Sequence, residues 1–411
     1  GERARLALGA AGTQGLSVMA IETGTIGTTE TPLLAARRIA PHAAELAERI
    51  ERERALPSEL LGELIDAGLF SLCLPRALGG VEVQPRELAL ALEELARADG
   101  ATGWCAMVAS TSSLLGAYLP AAEAELIFAG GRNVTGGVFA PRGRAVRSEG
   151  GYVVDGRWSF VSGVQHCDWV LGGCVVHDGQ EPELLAGGAP DVRLMMMPAD
   201  AVEVIDTWSV SGLRGTGSHD MAAAALHVPS ERGISLLTDS PRNDGPLYAF
   251  PLFGLLSVGI AAVALGIARG AVEDFLELAG AKTPVGGRRT LAERSTVQAE
   301  LARVEAALRA ARGLVLDEVE QAWQAAQAGA AIPEPRRAGL RMAASYATGV
   351  AAEVTTAMYH AAGGSSIYDS SPLQRRFRDV HVATQHAMVA PATWELTGRL
   401  LLGLATDTTQ L

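Results

Sequence analysis

At 411 residues, 48% hydrophobic and 19% charged, the chain can bury two or three domains' worth of core and reads as globular rather than disordered. A formal net charge of −12, with no basic run or interleaved aromatic platform, argues against a nucleic-acid partner. Four cysteines (Cys73, Cys105, Cys167, Cys174) form no CxxC pair and have no metal-like spacing. With no secretory signal, reduced thiols in a cytoplasm are expected.

Residues 1–30 read as a flexible tail in which Met19 is a natural start. From 31 to 132 the pattern is helical. Pro57 and Pro85 sit where a first turn tolerates them, Gly68 and Gly100 follow the apolar runs as stops, and Leu88, Leu92 and Leu95 share one face. From 133 to 240 the period shortens to two, with Gly-rich turns. In GGYVVDGRWSF the alternation puts Tyr152, Val154, Trp158 and Phe160 on one side of a strand, with Ser162 following on that side.

From 241 to 411 long Ala/Leu/Glu/Arg stretches predict an antiparallel helical bundle of the kind that builds subunit contacts. Residues 251–268 carry no charge over 18 positions, which reaches membrane-span length. Their Ala/Gly richness, and the lack of a second such segment, favour a helix buried all round over a membrane span.

No GxGxxG after a strand, GxxxxGK[ST], HExxH or GxSxG occurs, so the sequence offers no dinucleotide fold, no ATP site and no hydrolase elbow. The stretch RRFRDVHVATQHAMV (375–389) places His381 and His386 in an otherwise helical pattern. Five residues put them about 140° apart on a helix, which suits no shared metal, while Arg378, Val382 and His386 fall on one face.

Three stretches in order, LIDAGLFSLCLPRALGGVEV (64–83), GGYVVDGRWSFVSG (150–163) and GGSSIYDSSPLQRRFRD (363–379), resemble signature regions of the acyl-CoA dehydrogenase superfamily. The resemblance covers roughly 32–411. It implies an α+β fold with an N-terminal α-helical domain, a central β-barrel and a C-terminal four-helix bundle, assembled as a homotetramer around a flavin. Dehydrogenases of the common type carry a catalytic glutamate nine residues beyond the Arg of the Arg-Asp pair. Here nine beyond Arg378 is Ala387, with His386 beside it.

Together with ADGATGWCAMV, WSFVSGVQHCDW and TWSVSGLRGTGSHD, that exchange resembles the two-component flavin monooxygenases, such as phenol and steroid-phenol hydroxylases. That branch takes reduced flavin (FMNH2 or FADH2) from a separate NAD(P)H:flavin reductase and uses O2, through a flavin C4a-hydroperoxide, on a small aromatic substrate. An acyl-CoA dehydrogenase-like activity, or N- or S-oxygenation, is the alternative.

The resemblance implies site residues. Ser162 matches the serine near flavin N5; on the residues alone it is also a Ser-Gly turn ending a strand. His386 matches a histidine acting at the flavin, where the bland reading is a satisfied core histidine. Phe139, Trp158, Gly363, Gly364 and Arg378 are implied as flavin contacts, and Trp104, Ser112 and His166 as substrate contacts. Asp379 either orients Arg378 or caps a loop, with a solvated or structural ion pair as the bland alternative, and His166 and His219 lie on predicted loops where each either lines the pocket or is a surface histidine. Gly212, Gly215 and Gly217 form either an anion nest or a tight turn. Several phenol hydroxylases place a histidine eight residues beyond the matching Trp. Here that position is Ser112, which cannot act as a base at neutral pH.

Overall fold

The computed structural model describes residues 30–411, so the expected tail 1–30 and the start at Met19 lie, but for Glu30, outside the described residues. Helices α1 (Pro32–Glu53), α2 (Ser58–Asp66), α3 (Pro85–Ala98), α4 (Gly100–Ser113) and α5 (Ala121–Phe128) come first. Eight strands follow: β1 (Thr135–Ser148), β2 (Gly151–Val161), β3 (Trp169–Asp178), β4 (Glu181–Pro182), β5 (Val192–Pro198), β6 (Glu203–Ile205), β7 (His219–Pro229) and β8 (Gly233–Ile234). Six helices close the chain: α6 (Pro246–Ala249), α7 (Leu252–Ala281), α8 (Ser295–Gln327), α9 (Glu334–Ala362), α10 (Pro372–Ala383) and α11 (Pro391–Leu401).

The helical patterns hold. In α3, Pro85 opens the helix, and Leu88, Leu92 and Leu95 are buried on one face. Gly100 corrects an expectation. Helix α3 stops at Ala98, but Gly100 is already the first residue of α4, capped by Asp99 Oδ2 accepting from Thr102 N at 2.7 Å. Helix α7 is the one described helix long and apolar enough to cross a membrane, and most of it is buried in the core, as the uncharged run predicts. It packs against α3, α4, α9 and α10, so the helices before and after the sheet bury one continuous hydrophobic core.

The strands form one mixed sheet in the order β6-β7-β2-β1-β3-β5-β8, with β4 paired on β3. Only β1 and β3 run parallel. The expected barrel is not formed: β6 and β8 end the sheet without pairing with each other. Alternation gives the sheet two buried faces. Val170, Met195 and Met197 point to one, while Trp169, Leu171, Leu194 and Met196 point to the other, against Leu115, Ile127 and Phe128 of the N-terminal helices.

One register break bears on the site. Between Trp158 and Val161 the β2–β7 pairing shifts, and Phe160 adopts φ 68°. The bulge throws Phe160 outward, 72% exposed, while Trp158 stays fully buried. The single face predicted for Tyr152, Val154, Trp158 and Phe160 therefore breaks at Phe160. A strict period of two cannot show an inserted residue.

Candidate active site

Three segments meet where α4, the end of β2 and the turn after α10 come together. Trp104 is on α4, Ser162 follows β2, and His386 lies just past α10. Trp104 Nε1 donates to Ser162 Oγ at 3.1 Å, and its ring meets the His386 ring edge-on, with centroids 5.8 Å apart. The structure thus brings together three residues drawn from 283 positions of sequence.

His386 is not on a helix, which corrects the helical-face argument. Helix α10 ends at Ala383, and His386 begins a turn in which Val389 N donates to His386 O at 3.0 Å. The separation from His381 holds for a different reason. His381 stays on α10, pairs with Thr356 Oγ1 at 3.0 Å and lies against Phe377. No group of three metal-ligating side chains occurs among the described residues.

Desolvation, then the charge of Arg341, push His386 down to about 4, so it is neutral near pH 7. Its Nδ1 accepts from Met388 N at 3.2 Å, which leaves the proton on Nε2. The residue is nonetheless exposed at the protein surface. His386 therefore presents a neutral N–H donor at an exposed position beside Trp104.

Ser162 is bound from several sides. Its backbone N–H donates to Phe160 O at 3.0 Å, and its Oγ lies 2.7 Å from Ser218 Oγ. Ser218 Oγ is in turn 2.7 Å from Thr216 Oγ1, which donates to Leu213 O at 2.8 Å. These hydroxyls come from the SGLRGTGS loop (211–218), held in place by the buried carboxyl of Asp379, which accepts from Leu213 N at 2.5 Å. Of the readings for Asp379, capping the loop is the one this hydrogen bond realises. Burial, with Asp99 nearby, pushes it up to about 7 against the pull of the Leu213 N–H, Arg375 and Arg378.

Beneath Ser162 is a cavity of about 10 Å3 lined by Phe70, Cys105, Ala109, Thr135, His166 and Cys167 among others. It has room for about one water. His166 Nε2 accepts from Leu56 N at 3.0 Å, so its proton sits on Nδ1, and burial pushes it down to about 4. Among the described residues Thr135 Oγ1 is buried without a partner, a group the sequence reading missed because a threonine opening a strand has no motif. Ser112 lies on the α4 face that carries Cys105 and Ala109, about one turn on. Ser110, Thr111 and Ser113 each donate to a backbone carbonyl; Ser112 makes no such bond among the described residues.

Other expected residues fall elsewhere. Trp158 is not a ligand contact. Its indole fills the sheet interior, Nε1 donates to Gly173 O at 2.8 Å, and a Cβ at Gly143, Gly156 or Gly172 would come within 2.3, 2.8 or 2.6 Å of the ring. The exposed aromatic face belongs to Phe160 instead, braced edge-on by Trp208 at 6.2 Å. The side chain of Phe139 is half-buried and packs against the Leu74–Trp169 cluster.

Arg378 is committed to the fold: it pairs with Glu51 at 2.6 Å and donates to Ser211 O at 2.5 Å and Gln374 Oε1 at 2.7 Å. Gly363 and Gly364 end α9 on the surface, outside this cluster. His219 is buried, not on the surface, and its Nδ1 accepts from Thr207 N and Trp208 N, each at 3.2 Å. The loop glycines allow close packing rather than forming an anion nest. A Cβ at Gly212 would meet the Arg378 carbonyl at 2.3 Å, and one at Gly215 would meet Ile50 at 2.2 Å.

The residues present fit a flavin. An outward-facing phenyl ring lies two residues before a hydroxyl with an unspent lone pair, and Trp104 links that hydroxyl to a neutral N–H donor. No carboxylate lines the small cavity beneath Ser162, and Ala387 stands at the position where the resemblance implies the dehydrogenase base.

Comparison with known proteins agrees. Residues 30–122 match the family described as acyl-CoA dehydrogenase, N-terminal domain, and residues 258–391 match the C-terminal domain. An indole-3-acetate monooxygenase of Pseudomonas putida is 31% identical over 355 residues, covering 86% of this chain and 89% of that protein. The oxygenase subunit HsaA of a flavin-dependent monooxygenase from Rhodococcus jostii is 28% identical over 371 residues, covering 85% and 92%. The structure of XiaF from a Streptomyces species, in complex with FADH2 and glycerol, superposes with a TM-score of 0.84 at 28% identity, covering 91% and 95%.

Proposed function

The chain belongs to the acyl-CoA dehydrogenase family, in its flavin-dependent monooxygenase branch, and on that footing we propose that it is the oxygenase component of a two-component system hydroxylating a small aromatic substrate. A separate reductase supplies reduced flavin, FMNH2 or FADH2, and O2 is the co-substrate. Bound reduced flavin supplies the electrons that activate O2. The protein's part is to position, to exclude water and to hold protons.

The observation that carries the reading is the Trp104–Ser162–His386 cluster with Ala387 in place of a carboxylate base. Proton abstraction α to a thioester needs a base, and the cluster offers donors and hydroxyls instead. In this reading Ser162 accepts from the ligand and His386 Nε2–H donates to it, with the exposed ring of Phe160 as an apolar contact. Cys105 and Ala109 line the small cavity beneath Ser162, and Ser112 follows on the same face of α4, which makes this face the proposed substrate side.

The finer organisation is part of the same proposal: domains at 31–132, 133–240 and 241–411, with α7, α8, α9 and α10 as the family's four-helix bundle. We further propose a cytoplasmic homotetramer. The exposed Ile367, Tyr368, Trp394, Leu401 and Leu402 on the C-terminal helices and turns, and four free cysteines, support it. Gly363 and Gly364 would then meet the flavin of a neighbouring subunit.

The test supplies the protein with reduced flavin, 18O2 and a panel of aromatic acids and phenols that includes indole-3-acetate. One labelled oxygen atom in a product supports the proposal. Bleaching of tightly held oxidised flavin by an acyl-CoA, with no label in any aromatic, would replace it with a dehydrogenase.

A further inference from the structure

We propose that Ser218 and Thr216 are positioning residues that set the hydrogen-bond polarity of Ser162, so that the site selects reduced over oxidised flavin. The inference rests on the flavin reading above and adds a device that reads the flavin's redox state.

The direction of each proton follows from what its partners can do. Leu213 O can only accept, so the single proton of Thr216, 2.8 Å away, is committed to it. Thr216 Oγ1 then has only lone pairs to offer Ser218 Oγ at 2.7 Å, so Ser218 donates. With its proton spent, Ser218 accepts from Ser162, also at 2.7 Å. Trp104 Nε1–H is a donor only and points at Ser162 Oγ from 3.1 Å.

All four side chains are buried, with at most 8% exposure, so bulk water does not supply substitute partners. Running the chain of hydroxyls backwards would leave Thr216 Oγ1 and Leu213 O 2.8 Å apart with no proton between them.

Ser162 is therefore left with one lone pair and no proton to give. Whatever meets it must bring a hydrogen. Reduced and oxidised flavin differ in this respect: the reduced ring carries an N–H at N5 in both its neutral and anionic forms, whereas the oxidised ring presents a bare lone pair there. A hydroxyl locked as an acceptor bonds the first and repels the second. An oxygenase component needs this bias, since it must capture reduced flavin from a reductase and discharge the oxidised form.

The experiment measures flavin binding rather than turnover: equilibrium titrations with reduced flavin under anaerobic conditions and with oxidised flavin in air, for the full chain. The expected wild-type result is tighter binding of reduced flavin. In Ser218→Ala the Ser162 proton loses its acceptor and can turn to the ligand; in Thr216→Val the hydroxyl chain can run either way.

Both variants should lower the ratio of oxidised to reduced dissociation constants about tenfold, the weight of one buried hydrogen bond. This equals about 30 mV in the potential of the bound flavin. Ser218→Thr keeps a hydroxyl and should keep the wild-type ratio, which a purely structural role for Ser218 would not predict.

An unchanged ratio in both Ser218→Ala and Thr216→Val overturns the inference, as does a wild type that binds both redox states alike; the oxygenase reading survives either result. Failure of the wild type to bind flavin in either state overturns both. If Ser218→Ala does not fold, the contrast between Thr216→Val and Ser218→Thr decides.

Discussion

Replacing Asp379 with asparagine isolates the group that anchors the SGLRGTGS loop. The carboxyl is buried between α10 and Leu213, and burial lifts it from its ordinary 3.8 to about 7, helped by Asp99 and opposed by the Leu213 N–H, Arg375 and Arg378. A carboxyl with a raised pKa keeps its proton in the folded state at a pH where the unfolded chain has released it. Its contribution to stability is full below 3.8 and is lost as pH rises through about 7. The rise of roughly 3 units corresponds to about 4 kcal/mol, an upper figure for a buried site.

Asp379→Asn retains an oxygen to accept from Leu213 N but cannot ionise. Urea unfolding of the flavin-free protein at about pH 5, 6, 7 and 8 should show wild type losing stability across the series while the variant stays nearly flat. The variant should be the more stable protein at the alkaline end. The residual slope reports Asp99, which burial also raises. Parallel pH dependence in the two proteins would show that the Asp379 carboxyl does not titrate in this window, and the account of the anchor would fall.

The sheet aromatics should separate stability from binding. Trp158→Ala empties the slot beside Gly143, Gly156 and Gly172 and should cost about 3–5 kcal/mol in unfolding free energy. Phe160→Ala should leave stability within about 1 kcal/mol and weaken flavin binding in a titration. For His386→Ala, the fraction of flavin oxidation that yields product should fall while flavin still binds; an unchanged fraction removes His386 from the mechanism. Because His386 is held near 4, the wild-type coupling should be flat between about pH 6 and 8, with no step near 6.5.

The sequence by itself determined the order of helices, strands and helices, because periods of 3.6 and 2 are local properties of the chain. The family resemblance, not periodicity or spacing, marked Trp104, Ser162 and His386 and the missing base at Ala387. The resemblance carried the flavin, since composition and spacing alone are silent on it.

Tertiary structure decided what depends on register and packing. A one-residue bulge exchanged the roles of Trp158 and Phe160, since alternation cannot count an inserted residue. The end of α10 at Ala383 moved His386 off the helix. Glu51 and Ser211, distant in sequence, drew Arg378 into the scaffold. Nor could a sequence show which way a buried proton points. The polarity of Ser162 emerges only when Trp104, Ser218, Thr216 and Leu213 are brought within hydrogen-bond distance of one another, because each bond's direction is fixed by the next.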